Sequence, residues 1–186
     1  MKTLKFSKSD TTRYLILTVV LSVIVVFGYF FYRGGYVDQY YLIKPLPHDV
    51  PIEIRVDRYG DGHFGAPRRG YKHRGIDILA DIGTPVLACK SGRVAVVDYD
   101  KLSGNYIIIR HRGGLASLYL HLEDVYIKER QRVRQGDIIG TVGKTGNARF
   151  AGVKPHLHFE IRKDDIPQDI LKVYELKNFD KKLINK

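Results

Sequence analysis

From Tyr14 to Tyr32 the chain runs through 19 residues without a charge. At about 1.5 Å per residue in a helix, that run comes close to the ~30 Å hydrocarbon core of a bilayer. The pattern predicts a transmembrane helix over 14–32. Tyr14 at one end and Tyr29, Phe30, Phe31 and Tyr32 at the other resemble interfacial aromatic belts. Lys2, Lys5, Lys8 and Arg13 precede the run and only Arg33 follows closely, so the positive-inside bias leaves residues 1–13 in the cytoplasm and the rest of the chain outside. Residues 33–50, with Gly34-Gly35, Pro45 and Pro47, read as a linker. From Pro51 the pattern changes to short β-type runs broken by glycine and aspartate. They are Ile52–Val56, Ile76–Leu79, Val86–Lys90, Arg93–Tyr99, Tyr106–Arg110, Leu115–Leu122, Ile138–Val142 and Leu157–Arg162. No helical period interrupts them, which predicts an all-β, mainly antiparallel sheet or sandwich over 51–165. The segment 166–186 is a lysine-rich tail with scattered apolar residues such as Ile170, Leu171, Tyr174 and Leu176.

Composition adjusts this picture in three places. Of the formal charge of +11, residues 33–165 carry +6 (22 Lys+Arg against 16 Asp+Glu), spread through the segment without a basic run, which argues against nucleic acid as a partner. The single cysteine, Cys89, forms no intrachain disulfide, and its apolar neighbours make it a buried hydrophobe. The N-terminal run is long for a cleavable signal, its aromatic end lacks an A-x-A-like site, and no nearby cysteine offers a lipid attachment point. A retained single-pass anchor is expected.

The chemistry starts in the last β run. In Pro155-His156-Leu157-His158-Phe159-Glu160-Ile161 a side-chain period of two puts His156, His158 and Glu160 on one face and Leu157, Phe159 and Ile161 on the other. Two imidazoles presented together can bind a metal, or one can bind while the other handles a proton. Upstream, His73 and Asp77 are four apart, a spacing that keeps both on one face of a strand or a helix. His73, Asp77 and His158 make a three-ligand set of the kind that leaves the fourth position of zinc open for water. In Ser117-Leu118-Tyr119-Leu120-His121-Leu122, alternation puts Leu118, Leu120 and Leu122 on one side and Ser117, Tyr119 and His121 on the other, adding a third imidazole. Glu160 is expected to be a surface carboxylate, with a role in orienting a ligand as the sharper alternative.

Several separated blocks, in order, resemble the lysostaphin-type (LytM) zinc metallopeptidases. They include Phe64-Gly65 with Arg68, His73-Arg74-Gly75-Ile76-Asp77-Ile78, Gly104-Asn105-Tyr106, Tyr119-Leu120-His121-Leu122, Val133-Arg134-Gln135-Gly136-Asp137-Ile138-Ile139-Gly140 and Pro155-His156-Leu157-His158-Phe159-Glu160. The resemblance implies one zinc ion per chain held by His73, Asp77 and His158, with His121 and His156 as unbound catalytic histidines. It also implies bacterial peptidoglycan as the substrate, and therefore anchorage in the bacterial cytoplasmic (inner) membrane through residues 14–32, with the peptidase domain on the wall side. Whether a protein activator must open the groove stays open, as does the choice between a glycine bridge and a link involving D-amino acids. A catalytically silent zinc-binding scaffold is the alternative, although none of the five site residues is missing. A lipoyl-like module of an export adaptor is a further alternative, but it leaves the histidines unexplained.

Overall fold

A computed structural model describes residues 8–31, 42–68, 70–173 and 176–177. Lys2, Lys5, Tyr32, the linker stretch 33–41, Tyr174 and the tail from 178 onward lie outside the described residues. The chain divides into two compact units, Met1–Tyr40 and Tyr41–Lys186.

In the first unit, helix α1 spans Lys8–Phe31, about 36 Å at 1.5 Å per residue. Its stretch Ser9–Phe31 has a mean hydropathy of 2.5 and is long and apolar enough to cross a membrane. The helix starts earlier than the uncharged run because Asp10 sits in its first turn, where a carboxylate opposes the positive end of the helix dipole. The hydroxyls inside the apolar run are satisfied within the helix: Thr18 donates to Tyr14 O and Ser22 to Thr18 O, each at 2.8 Å. Neither therefore carries an unpaired donor into an apolar surrounding.

The second unit is built on a nine-stranded antiparallel sheet. Its strands are β1 (Ile76–Leu79), β2 (Pro85–Leu87), β3 (Gly92–Asp100), β4 (Gly104–Arg110), β5 (Leu115–Val125), β6 (Arg132–Val133), β7 (Ile138–Val142), β8 (His156–Lys163) and β9 (Ile166–Gln168). The main path runs β6-β3-β4-β5-β7-β2, and β8 pairs with β5, β1 and β9. The β-type runs read from the sequence recur here, except that Ile52–Val56 is reduced to an isolated bridge between Ile54 and Ile78 followed by the hairpin Val56–Asp57 with Gly60–Asp61.

Strand β5 changes partner along its length. Leu115 to Leu120 pair with Lys163 to His158 of β8, after which Leu122 pairs with Val142 of β7. The changeover falls at His121, whose φ of 66° lies in the left-handed region that non-glycine residues seldom adopt. That one residue breaks the alternation. Tyr119 and Leu122 both enter the core, while Leu118, Leu120 and His121 face a groove. The expected grouping of Leu122 with Leu118 and Leu120, and of His121 with Tyr119, is corrected on this point. Tyr119 is fully buried, and its hydroxyl accepts a hydrogen bond from the Cys89 amide at 2.9 Å. Burial pushes the Cys89 thiol up to about 11, consistent with an inert core residue.

Strand β8 keeps its period. Leu157, Phe159 and Ile161 are fully buried in the core with Ile76, Ile78 and Ile107. Parts of the expected linker and tail also belong to this unit: Leu42, Leu46 and Ile170 join the core, and Leu42–Ile43 pairs in parallel with Leu176–Lys177. Pro45 and Pro47 suggested a free linker, but Leu42 and Leu46 beside them suffice to dock it.

Candidate metal centre

The register between β8 and β1 sets His158 directly opposite Asp77. Residues opposite one another in an antiparallel pair project on the same face, so the two side chains meet. His73 precedes β1 and is fixed separately. Its amide donates to Ala66 O at 2.8 Å, and its Nδ1–H donates to His63 O at 2.9 Å, which turns Nε2 towards Asp77 and His158. Gly75 makes the crossing possible: a Cβ there would come within 2.9 Å of the Phe159 carbonyl carbon and 2.8 Å of Glu160 Cγ.

Three donor atoms converge as a result. His73 Nε2 and His158 Nδ1 are 3.0 Å apart, His158 Nδ1 and Asp77 Oδ1 2.8 Å, and His73 Nε2 and Asp77 Oδ1 3.1 Å. Ligands at ~2.0–2.1 Å on a tetrahedral zinc are separated by about 3.3 Å, so the triangle fits one face of such a site with slight expansion. Two neutral-capable nitrogens and one carboxylate oxygen suit zinc. Among the described residues these three form the cluster able to hold an ion, and all three are buried.

Each candidate ligand is held from behind. His158 Nε2 lies 3.1 Å from Glu160 Oε1, and the other oxygen of Glu160 accepts from Arg162 at 2.8 and 2.6 Å. Glu160 is buried, only 5% exposed, so the surface carboxylate expected from the sequence becomes an orienting group. Asp77 Oδ2 accepts from Arg55 Nη2 at 2.8 Å, and the other terminal nitrogen of Arg55 reaches both oxygens of Asp57 at 2.8 Å. Arg55 was not singled out in the sequence, yet it is only 6% exposed. Gly62 lets this segment lie on β1, because a Cβ there would come within 2.7 Å of Asp77 Cβ.

The charges follow this geometry. Burial disfavours the Asp77 carboxylate, but hydrogen bonds from His158 and His73 outweigh it and hold the acid well below its usual range. Burial likewise opposes charge on His158, but hydrogen bonds to Asp77 and Glu160 raise it to about 9. His121 goes the other way: burial, reinforced by repulsion from His156 and His158, lowers it to about 3. Burial also lowers His156.

His121 and His156 stand face to edge, ring centroids 5.0 Å apart, and His121 is 6.1 Å from the His158 ring. Nδ1–H of His121 donates to Thr145 O at 3.1 Å, and Nδ1–H of His156 donates to Lys154 O at 2.7 Å. Both rings therefore keep a free Nε2 lone pair. His156 Nε2 is 4.0 Å from Asp77 Oδ1. All five residues singled out in the sequence line one groove of about 510 Å³, together with Arg55, Leu118 and Leu120.

Comparison with known proteins identifies the family. Residues 71–170 match the model of peptidase family M23. The peptidoglycan DD-endopeptidase ShyC of Vibrio cholerae is 46% identical over 88 residues, covering 47% of this chain and 19% of the relative. The cell division protein DipM of Caulobacter vibrioides is 38% identical over 126 residues, covering 61% and 20%. The chain thus spans about a fifth of the length of these curated relatives. Among solved structures, a zinc-containing peptidase from Vibrio cholerae superposes with a TM-score of 0.54 at 32% identity over 72% of this chain and 41% of that one. The catalytic domain of lysostaphin from Staphylococcus simulans gives 0.53 at 29% identity over 64% and 90%.

Proposed function

Starting from the fact that the chain belongs to peptidase family M23, we propose that it is a zinc-dependent endopeptidase that hydrolyses peptide cross-links or stem peptides of bacterial peptidoglycan. The observation that carries this reading is the triangle of His73, Asp77 and His158 beside two imidazoles with free Nε2 atoms in one groove. His73 Nε2, His158 Nδ1 and Asp77 Oδ1 would hold one zinc ion. Bound there, zinc supplies Lewis acidity and makes hydroxide available near pH 7.

The protein's own groups account for the proton traffic. Buried and electrically neutral, His121 and His156 each offer an Nε2 lone pair to a water proton as that water attacks the peptide carbonyl. The ring that takes the proton becomes the donor to the departing amine as the C–N bond breaks. The other ring can steady the developing oxyanion only when its Nε2 carries a proton and donates it, so the two rings act in opposite protonation forms. Arg55 and Glu160 keep the candidate ligands aimed by occupying the atoms that do not face the ion.

Helix α1 is assigned as a single-pass anchor in the bacterial cytoplasmic membrane, with the N-terminus inside and the peptidase unit on the wall side. The flanking charges and the apolar length of Ser9–Phe31 support that orientation. The test is incubation of the full, zinc-loaded chain in detergent with purified peptidoglycan, followed by mass spectrometry of the fragments. New amine and carboxyl ends are expected, and they should be absent with His158→Ala. Equal cleavage by that variant would sink the assignment.

A further inference from the structure

Four of the arginines among the described residues line the groove, and three of them are occupied. Arg55 is paired with Asp77 and Asp57, and Arg162 with Glu160. Arg68 donates to Asp61 O at 2.7 Å and lies 3.7 Å from Asp77 Oδ2. Arg74 is different. It lines the same groove, is exposed, and makes no ion pair or hydrogen bond among the described residues.

The backbone that carries Arg74 is not free to wander. His73 on one side is tied through its amide to Ala66 O, and Gly75 on the other is pressed against Phe159 and Glu160 of β8. Arg74 therefore projects from a fixed point beside the candidate ligand His73. Strand order sets what lies across from it. Residues 73–75 sit on the β1 side of β8, whereas the turn between β3 and β4 lies beyond β5 and β4 on the other side. That far wall carries Asp100, Leu102, Ser103 and Tyr106. Asp100 Oδ1 accepts from the amides of Ser103 and Leu102, both at 2.7 Å, and these bonds hold its carboxyl below the usual range. The groove thus has an unpaired cation on one wall, a fixed anion on the other, and the candidate metal site between them.

We infer that Arg74 reads a free carboxylate on the residue beside the scissile bond, so that the site favours acidic cross-links over glycine bridges. The inference rests on the hydrolase reading and names the substrate class it acts on. A chain lying in the groove strips water from Arg74. A glycine bridge has nothing to replace that water, so its binding carries an uncompensated desolvation cost. An amide formed on the amine of a diamino acid keeps an α-carboxylate next to the scissile nitrogen, and a guanidinium can take both of its oxygens at once.

The experiment compares two cross-linked peptides that differ only in that group, one a carboxylate and one its carboxamide, with the full zinc-loaded chain in detergent. The wild type is expected to favour the acid by about tenfold or more in kcat/KM, the range of a hydrogen bond to a charged group. That preference should shrink as salt rises. In Arg74→Ala the ratio is expected to fall to near one, and in Arg74→Lys to lie between, since a lysine keeps the charge without the two-pronged geometry. Equal cleavage of both peptides by the wild type, or a ratio that survives in Arg74→Ala, overturns this inference and leaves the hydrolase reading standing. Cleavage of neither peptide by the wild type counts against both.

Discussion

The guanidinium of Arg55 holds Oδ2 of Asp77 at 2.8 Å, which leaves Oδ1 as the oxygen turned towards His73 and His158. Arg55 lies outside the stretch 71–170 matched by the family model, so part of the machinery around Asp77 comes from upstream of it. Arg55→Gln is expected to weaken zinc binding by about tenfold to a hundredfold, the usual effect of losing a partner behind a ligand. Competition with a chromogenic chelator measures it. Because a buried pair is broken, the metal-free protein should also lose stability by about 3–5 kcal/mol. Unaltered zinc affinity would show that Asp77 needs no such restraint.

The five groove residues should separate into two classes. His73→Ala, Asp77→Ala and His158→Ala are expected to lose bound zinc together with hydrolysis. His121→Ala and His156→Ala are expected to retain about one zinc per chain while hydrolysis falls by roughly 10²–10⁴, the range for a proton-handling group. Elemental analysis beside a turnover assay distinguishes them. Zinc bound through His156 and not His158 would reverse the roles assigned to the two histidines of β8.

The pH dependence of the metal-free protein has a defined sign. His121 is lowered to about 3, so below pH ~6.5 the unfolded chain takes up a proton that the folded one refuses, and stability is lost as pH falls from 6.5 towards 3. His158 is raised to about 9, so its contribution is fully present below 6.5 and is lost as pH rises through 9. Thermal melts of chelator-treated protein should therefore peak near pH 6.5. Zinc displaces the extra proton from His158, so binding at pH 7.5 is expected to release protons and to tighten as pH rises. Calorimetry in buffers of different ionisation enthalpy would detect that release.

His121 also carries a backbone requirement that is separate from its chemistry. At φ 66° a β-branched residue is strained, whereas asparagine tolerates the conformation. His121→Val should be about 1–2 kcal/mol less stable than His121→Asn, although both lack the imidazole. Equal melting temperatures would mean that β5 can cross from β8 to β7 without the left-handed residue.

How much of this was legible in the sequence depends on the range of the interaction that decides each feature. The faces of β8 follow from local alternation, and the pairing of His73 with Asp77 from a spacing of four. That His73, Asp77, His156 and His158 could converge was therefore readable, as was the antiparallel class of the sheet. The face of His121 was not, because one left-handed residue reverses the alternation and no neighbouring side chain announces it. The burial of Arg55 and Glu160 was equally hidden. Arg55 is brought inside by Asp77, 22 positions away, and Glu160, although it shares a face with His158 on the same strand, is covered because the chain at Gly75 packs against it. The docking of 42–50 depended on Leu42 and Leu46 finding a core built from strands that come later in the chain.

The pairing of Leu42–Ile43 with Leu176–Lys177 sets the first and last strands described in this unit side by side, like the two halves of a clasp. Neither pairs with another strand among the described residues. Loosening one of them therefore releases the other, and the two margins of the unit stand or fall together.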